Sequence, residues 1–252
     1  LIGSDMVIDS YAFRGCTNLA TLEFNNQSKV KEIKSYAFSG TGLTSVTIPA
    51  SVTLIENAAF LGIKATSITF KGSEDATPLT IGTQSSDGQY AIQNAVFSTS
   101  NAVEFQATGL VFEEGCNIQV LNSGAFQGLY GLKEVTLPST LTKVNAGAFY
   151  NCPTIEKINV NTTSDVFVKA KNQTSFYGSN SIKELVFMKD CAFITLANAF
   201  GNQAYEKITV ADGNTAYMAT EAGNVYSADG KTLVYANASS ITEIGVTDAT
   251  AM

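Results

Sequence analysis

The side chains of this sequence that could do chemistry are carboxylates, because the chain contains no histidine. Without imidazole it has no Ser-His-Asp triad, no Cys-His pair and no histidine-ligated zinc. Glycoside hydrolysis can proceed with two carboxyl groups, and two adjacent acidic pairs occur, Glu74 with Asp75 and Glu113 with Glu114. Neighbours on a strand point to opposite sides, and acidic loop residues are usually solvated. We therefore predict no catalytic residue and no enzymatic activity, and keep a carboxylate-based glycoside hydrolase as an alternative.

The four cysteines, Cys16, Cys116, Cys152 and Cys191, show no CxxC spacing. Cys16 and Cys152 occupy equivalent positions of a repeat, about five coils or on the order of 24 Å apart, whereas a disulfide needs Cα atoms within about 7 Å. We predict that these two are buried thiols that act as small hydrophobic side chains. A bridge that involves Cys116 or Cys191 stays open. No metal site and no cofactor are predicted.

Composition excludes two classes of partner. The net charge is −7 and no cluster of lysine or arginine occurs, so a nucleic-acid backbone would meet no counter-charge. No apolar run approaches the roughly 18 residues of a membrane span. The chain also lacks tryptophan, so any stacking of a sugar ring would depend on tyrosine or phenylalanine.

The elements that must position any site come from a repeat. Ala-Phe or a near variant recurs in SYAFRGC, SYAFSGT, NAAFLGI, NAVFSTS, SGAFQGL, AGAFYNC and ANAFGNQ, and SFYGS keeps the spacing without the alanine. The phenylalanines are Phe13, Phe38, Phe60, Phe97, Phe126, Phe149, Phe176 and Phe200. Their intervals agree with the period of about 20 to 29 residues that is typical of leucine-rich repeats, except for 37 residues between Phe60 and Phe97. That interval requires an insertion or an extra coil.

Each phenylalanine is followed by a short segment with apolar residues two apart, which is typical of a strand with one buried face. These segments are residues 22–24, 46–48, 68–70, 103–105, 135–137, 158–160, 185–187 and 208–210. Such short strands are stable only when they are stacked. The sequence therefore predicts a β-rich, right-handed leucine-rich-repeat solenoid of about eight coils. It has a parallel sheet on one side, short helical or turn corners, and a core column of phenylalanine rings.

The phrases LTSVTIPASVTLIENAAF and LKEVTLPSTLTKVNAGAF, together with the AF-x-G-C corner, resemble the BspA-type leucine-rich repeat family. The resemblance covers about residues 7 to 210, and segments 71–95 and 106–120 depart from it. Residues 216–237 resemble a non-repeat element that such proteins carry, and NVYSADGKTLVY within them predicts a hairpin. We expect a solenoid over residues 1–210 and, continuous with it, a C-terminal hairpin or capping element over residues 211–252.

The resemblance implies a bacterial protein that is secreted or attached to the cell surface and adheres to host proteins or other cells. It carries over no catalytic residue. We therefore expect a non-enzymatic extracellular recognition or adhesion module whose solenoid surface binds host or bacterial surface proteins. A surface carbohydrate-binding component is the alternative, with glycans as partners.

Charged pairs stand directly before four successive strand segments, and their order alternates between Lys-Glu and Glu-Lys. The residues are Lys133, Glu134, Glu156, Lys157, Lys183, Glu184, Glu206 and Lys207. Parallel strands lie about 4.8 Å apart, so in-register stacking places opposite charges above and below each side chain. We interpret the alternation as a structural charge ladder that specifies strand register.

The middle residue of each strand segment should point outward. This column, which offers a candidate partner-binding face, contains Glu23, Thr47, Thr69, Glu104, Thr136 and Asn159, and continues with Val186 and Thr209. Solenoids commonly bind partners along stacked strands. A solvated, threonine-rich sheet is the alternative, since threonine favours strands and the column has no arginine or aromatic anchor.

Overall fold

The computed structural model describes residues 5–24, 28–83, 95–97, 107–170, 172–192, 195–201 and 203–237. It is a parallel-sheet β-solenoid of about eight turns. The predicted fold class is therefore confirmed.

One side of the solenoid is a six-stranded parallel sheet. Its strands, in spatial order, are β1 (Met6–Ile8), β2 (Val30–Ile33), β4 (Leu54–Ile55), β6 (Leu79–Ile81), β8 (Ile118–Leu121) and β10 (Lys143–Val144). A single bridge from Val144 to Phe167 carries the pairing one coil further.

The other side, which we call the strand face, consists of two parallel sheets. The first contains β3 (Ser45–Ile48), β5 (Ser67–Phe70) and β7 (Gly109–Phe112). The second contains β9 (Glu134–Leu137), β11 (Lys157–Val160), β12 (Glu184–Phe187) and β13 (Lys207–Val210). In both sheets the second residue of every strand pairs in register with the second residue of its neighbour.

Two of the predicted strand segments differ in the structure. Residues 22–24 form no strand, although Leu22 and Phe24 pack partly against the core. Residues 103–105 lie outside the described residues. The strand that pairs with β5 is β7, whose residues 110–112 lie seven residues further along the chain than the predicted segment. The alternation of Leu110 and Phe112 has the same period as that of Val103 and Phe105, so the sequence pattern alone could not separate the two segments.

The corner phenylalanines form one continuous column of rings, as the repeat predicted. In order, the rings are Phe13, Phe38, Phe60, Phe97, Phe126, Phe149, Phe176 and Phe200, with neighbouring centroids 4.6 to 5.7 Å apart. Phe38 to Phe200 are almost fully buried, whereas Phe13 is 40% exposed. Because Phe60 and Phe97 stack directly at 5.1 Å, the long interval between them holds an insertion and not an extra coil.

At five corners, those of Phe13, Phe38, Phe60, Phe126 and Phe149, the backbone is left-handed two residues before and two residues after the ring. Gly40 follows Phe38 by two residues with φ of 68°, and Asn151 takes the same position after Phe149 with φ of 53°. Two residues before Phe38, Tyr36 has φ of 59°. Glycine adopts this region without steric cost and asparagine tolerates it. The glycine of the AF-x-G motif is thus dictated by the turn. At the last corner, α1 (Leu196–Ala199) precedes Phe200.

A small antiparallel sheet follows the last coil. It consists of β14 (Tyr217–Ala219), β15 (Val225–Ser227) and β16 (Leu233–Tyr235). The Tyr217 ring lies 5.0 Å from the Phe187 ring, and the Tyr235 hydroxyl donates a hydrogen bond to the Tyr205 carbonyl oxygen at 3.0 Å. This sheet therefore packs against the end of the solenoid core.

All four cysteines are free thiols. Cys152 is buried as predicted, and burial raises the pKa of both Cys152 and Cys191 to about 12. Cys116 is also buried. The prediction of burial was wrong for Cys16, which is exposed, because it lies in the first described coil beside the half-open Phe13 ring.

Truncation of a ring inside the column tests its contribution to stability. We expect Phe149→Ala to lower the free energy of unfolding by about 3 to 5 kcal/mol, since it leaves a cavity between two stacked rings. Urea unfolding followed by circular dichroism measures this loss. Phe13→Ala is the matched control and should cost clearly less, because its ring is already 40% exposed. Equal losses for the two variants would contradict a column that stabilises through burial.

Thiol labelling tests the burial of the cysteines. At about pH 8, near the ordinary cysteine pKa, a disulfide reagent such as DTNB should react rapidly with a single thiol of the native protein. Cys16→Ser should abolish this reaction, and urea should then expose the three remaining thiols. Rapid labelling of the native Cys16→Ser variant would show that Cys116, Cys152 or Cys191 is accessible.

Candidate partner-binding surface

The strand face divides into two parts of different chemistry. The neutral strip comprises the outward residues of β3, β5 and β7, which are Ser45, Thr47, Ser67, Thr69, Gly109 and Val111. The charged strip comprises the outward residues of β9, β11, β12 and β13 together with the residue before each strand. Strands β7 and β9 lie next to each other without a ladder between them.

The neutral strip presents polar groups that the sheet itself leaves available. Among the described residues, the hydroxyls of Ser45, Thr47, Ser67 and Thr69 have no hydrogen-bond partner. At the position next to Thr69 the Val111 side chain is 46% exposed. An exposed valine among free hydroxyls offers both apolar contact and hydrogen bonding to an incoming molecule.

Threonines bind the coils together along one edge of the neutral strip. The Thr44 hydroxyl donates a hydrogen bond to the Ala20 carbonyl oxygen at 3.3 Å, and the Thr66 hydroxyl to that of Thr44 at 3.5 Å. The Thr108 hydroxyl likewise donates a hydrogen bond to the Thr66 carbonyl oxygen at 3.4 Å. Each of these three threonines directly precedes a strand. They therefore occupy the same repeat position as the first member of each charged pair in the second sheet.

In the charged strip the side chains pair with one another. Lys133 and Glu156 lie 3.0 Å apart, Lys157 and Glu134 3.1 Å, and Lys183 and Glu206 3.6 Å. In the register of the strands Lys157 stands between Glu134 and Glu184, and Glu184 stands beside Lys207. Opposite charges therefore neighbour each other throughout, which supports our proposal that the ladder specifies register.

Asn159 joins this network and is almost buried. Its side-chain amide donates hydrogen bonds to Glu134 Oε1 at 2.7 Å and to Thr136 Oγ1 at 2.9 Å. The bond from Asn159 and the ion pair with Lys157 together hold the pKa of Glu134 below its ordinary value. Asn159 and Thr136 are thus occupied within the sheet, unlike the hydroxyls of the neutral strip.

The residues of the predicted partner-binding face therefore fall into different parts of the surface. Thr47 and Thr69 lie in the neutral strip, whereas Thr136 and Asn159 lie in the charged strip. Glu23 is exposed but belongs to no strand. Glu104 lies outside the described residues, and Val111 occupies the position next to Thr69.

The two acidic pairs that suggested a hydrolase lie on neighbouring segments, since the Ser73 N–H donates a hydrogen bond to the Gly115 carbonyl oxygen at 3.2 Å. Glu113 forms an ion pair with Lys71 at 2.7 Å, and the hydrogen bond from Lys71 lowers the Glu113 pKa. Glu74, Asp75 and Glu114 are exposed to solvent. Within the part of the chain that the structure describes, no group of three or more Cys, Asp or Glu residues is placed to hold a metal ion.

A cleft of about 640 Å³ that no sequence pattern predicted lies between the last coils and the C-terminal sheet. Asp165 and Asp229 line it. Asp165 accepts a hydrogen bond from the Thr195 hydroxyl, and the Ser227 hydroxyl lowers the pKa of Asp229. A general acid needs a raised pKa, so the environment of Asp229 argues against glycosidase chemistry there.

The repeat decides the family. The model of the BspA type leucine rich repeat region matches residues 5–106 and 91–221 with six copies. The chain belongs to the BspA-type leucine-rich repeat family. No curated relative matches its sequence.

Solved structures of three bacterial proteins are similar to this chain. They are the pneumococcal vaccine antigen PcpA, a leucine-rich repeat protein from Bacteroides ovatus and a leucine-rich cell surface protein from Faecalibacterium prausnitzii. Their identities are 16%, 17% and 20%, with TM-scores of 0.39, 0.26 and 0.28. The matches cover 82%, 82% and 80% of this chain. The chain spans 42%, 61% and 76% of the respective relatives.

No helix among the described residues is long and apolar enough to cross a membrane.

Charge reversal at the centre of the charged strip tests the ladder. Lys157→Glu places three glutamates in successive strands at positions 134, 157 and 184, since these pair in register. We expect a loss of about 1 kcal/mol in the free energy of unfolding, which should shrink at about 1 M salt, where charges are screened within about 3 Å. Lys64→Glu, the same change at an exposed residue outside the ladder, is the control. A Lys157→Glu loss that salt leaves unchanged would contradict the charge ladder.

Proposed function

We propose that this protein is a non-enzymatic extracellular recognition module that binds a protein partner through the neutral strip of its strand face. The observation that carries the proposal is the contrast within that face. At the centre of the charged strip Lys157 forms an ion pair with Glu134, and the Asn159 amide donates hydrogen bonds to Glu134 and Thr136. The neutral strip leaves the hydroxyls of Thr47 and Thr69 without a partner among the described residues and exposes Val111.

The chemistry of the neutral strip suits a protein surface. Interfaces combine apolar contacts with about one hydrogen bond per 100 to 200 Å², and this strip interleaves both kinds of group. None of its side chains carries a formal charge, so a docking partner would not remove water from a charged group of this surface. Stacked strands of a solenoid also present a long, regular surface that suits an extended partner.

Membership of the BspA-type family supports a partner outside the cell. Members of this family are expected to be secreted or attached to a bacterial surface, and to adhere to host proteins or to other bacteria. We therefore propose host or bacterial surface proteins as the partner class, and adhesion as the role.

Surface plasmon resonance with immobilised host matrix proteins and bacterial surface proteins tests the proposal. Thr69→Lys and Val111→Lys introduce a bulky charge at the centre of the neutral strip. We expect each to weaken the affinity for a bound protein by about tenfold or more, on the scale of a lost interface contact.

Gln119→Lys is the matched control, because it adds the same charge to a half-buried strand position on the six-stranded sheet of the opposite side. Its affinity should stay close to that of the unmodified protein. The proposal fails if no protein of the panel binds, or if the variants of the neutral strip and the control bind equally.

A further inference from the structure

A second groove, of about 380 Å³, lies beside the corners that carry Phe176 and Phe200. It is formed by the residues that follow the corner phenylalanines. Tyr150 follows Phe149, and Tyr177 follows Phe176. The two tyrosine rings stack with centroids 5.9 Å apart and planes within 9° of each other. A second aromatic column therefore runs outside the phenylalanine column over two coils.

This outer column stops at a glycine. Gly201 follows Phe200 as Tyr177 follows Phe176, so this repeat position carries no side chain in the last coil. Tyr177 is 44% exposed, and both it and Gly201 line the groove. Tyr177 therefore presents an accessible aromatic ring to the groove, on which a flat ligand ring can stack.

The remaining walls are amides and carry no charge. Asn172 and Asn180 are exposed at the rim and have no side-chain hydrogen bond to another described residue. Neither an acidic nor a basic residue is among the described residues that line the groove. Each amide offers both a donor and an acceptor, which matches hydroxyl groups, since they also donate and accept.

Two contacts hold the groove in a fixed shape. The Asn151 amide donates a hydrogen bond to the Tyr130 hydroxyl at 2.6 Å, and Asn151 keeps a left-handed φ of 53°. The Gln203 amide donates a hydrogen bond to the Phe200 carbonyl oxygen at 3.0 Å. Preformed walls reduce the ordering cost of binding, and the volume falls within the range of about 300 to 1,000 Å³ of small-molecule sites.

We propose that this groove binds a neutral saccharide, with one sugar ring stacked on Tyr177 and its hydroxyls bonded to Asn172 and Asn180. A sialylated or phosphorylated ligand would find no cation among the described residues of the groove, and a nucleic acid would find no counter-charge for its backbone there. Tyrosine takes the part that tryptophan often plays in stacking, because the chain has none. The groove and the neutral strip are separate surfaces, so this proposal does not depend on the proposed function.

An array of neutral and sialylated oligosaccharides, followed by calorimetric titration of the bound neutral glycan, tests the proposal. We expect a neutral glycan to bind and Tyr177→Ala to weaken its affinity about tenfold or more, on the scale of a lost aromatic contact. Tyr177→Phe should retain most of the affinity, because it keeps the ring face. Asn180→Ala should weaken binding less than Tyr177→Ala does.

Tyr11→Ala is the matched control. Tyr11 is 53% exposed and stacks on Tyr36 at 5.2 Å, but it lies at a corner far along the chain from the groove. Its removal should leave glycan affinity unchanged. The proposal is overturned if no neutral glycan binds, if sialylated glycans bind equally well, or if Tyr177→Ala and Tyr11→Ala have the same effect. Binding of a protein partner that Val111→Lys weakens but Tyr177→Ala does not would report on the neutral strip alone.

Discussion

Stacking of the corner phenylalanines at a spacing close to that of hydrogen-bonded strands is the constraint on which the rest of this solenoid depends. The ring centroids lie 4.6 to 5.7 Å apart, and parallel strands lie about 4.8 Å apart. A coil can therefore hydrogen-bond to its neighbour and bury its ring against the neighbouring ring with the same translation. The turn must then bring each ring inward at every coil, which explains the left-handed residues at Gly40 and Asn151.

The strand face shows two ways to hold the same register. In the C-terminal part, alternating lysine and glutamate side chains oppose one another across successive strands, as Lys133 and Glu156 do. In the N-terminal part, threonine hydroxyls donate to the carbonyl oxygen of the preceding coil, as Thr66 does to Thr44. The threonine bonds lie along the edge of the strand face, as do the ion pairs of Lys133 and Lys183, whereas the ion pair between Lys157 and Glu134 lies on its outward surface. Lys157 and Asn159 therefore have partners within the charged strip, while Thr47 and Thr69 have none among the described residues.

Side-chain size at one repeat position creates the groove beside Tyr177. The exposure of the residue that follows the corner phenylalanine varies from coil to coil: Gln127 is 4% exposed, whereas Tyr177 is 44% exposed. Substituting glycine at Gly201 for the tyrosine of the two preceding coils removes a whole ring from the outer column. The backbone also changes at this corner, where α1 precedes Phe200 and Gly201 has a left-handed φ of 75°.

The sequence by itself determined the repeat period, the phenylalanine column, the family and the alternation of charges. Each of these depends on a local pattern that recurs with every coil, and a stacked fold repeats such patterns in space. Segment 103–105 shows the limit of this reasoning, because β7 shares its period and only strand pairing distinguished them. The exposure of Cys16 likewise depends on the coil that lies beside it in space, and not on its neighbours in the sequence.

Only the tertiary structure decided which outward residues remain available to a partner. Thr69 and Asn159 hold equivalent sequence positions, yet Asn159 is bound to Glu134 and Thr136 while Thr69 is free among the described residues. The groove beside Tyr177 and the cleft beside Asp229 also arise from residues distant in the chain. Local periodicity specifies the direction of a side chain, but its partners come from neighbouring coils, and their contacts are fixed only when the coils stack.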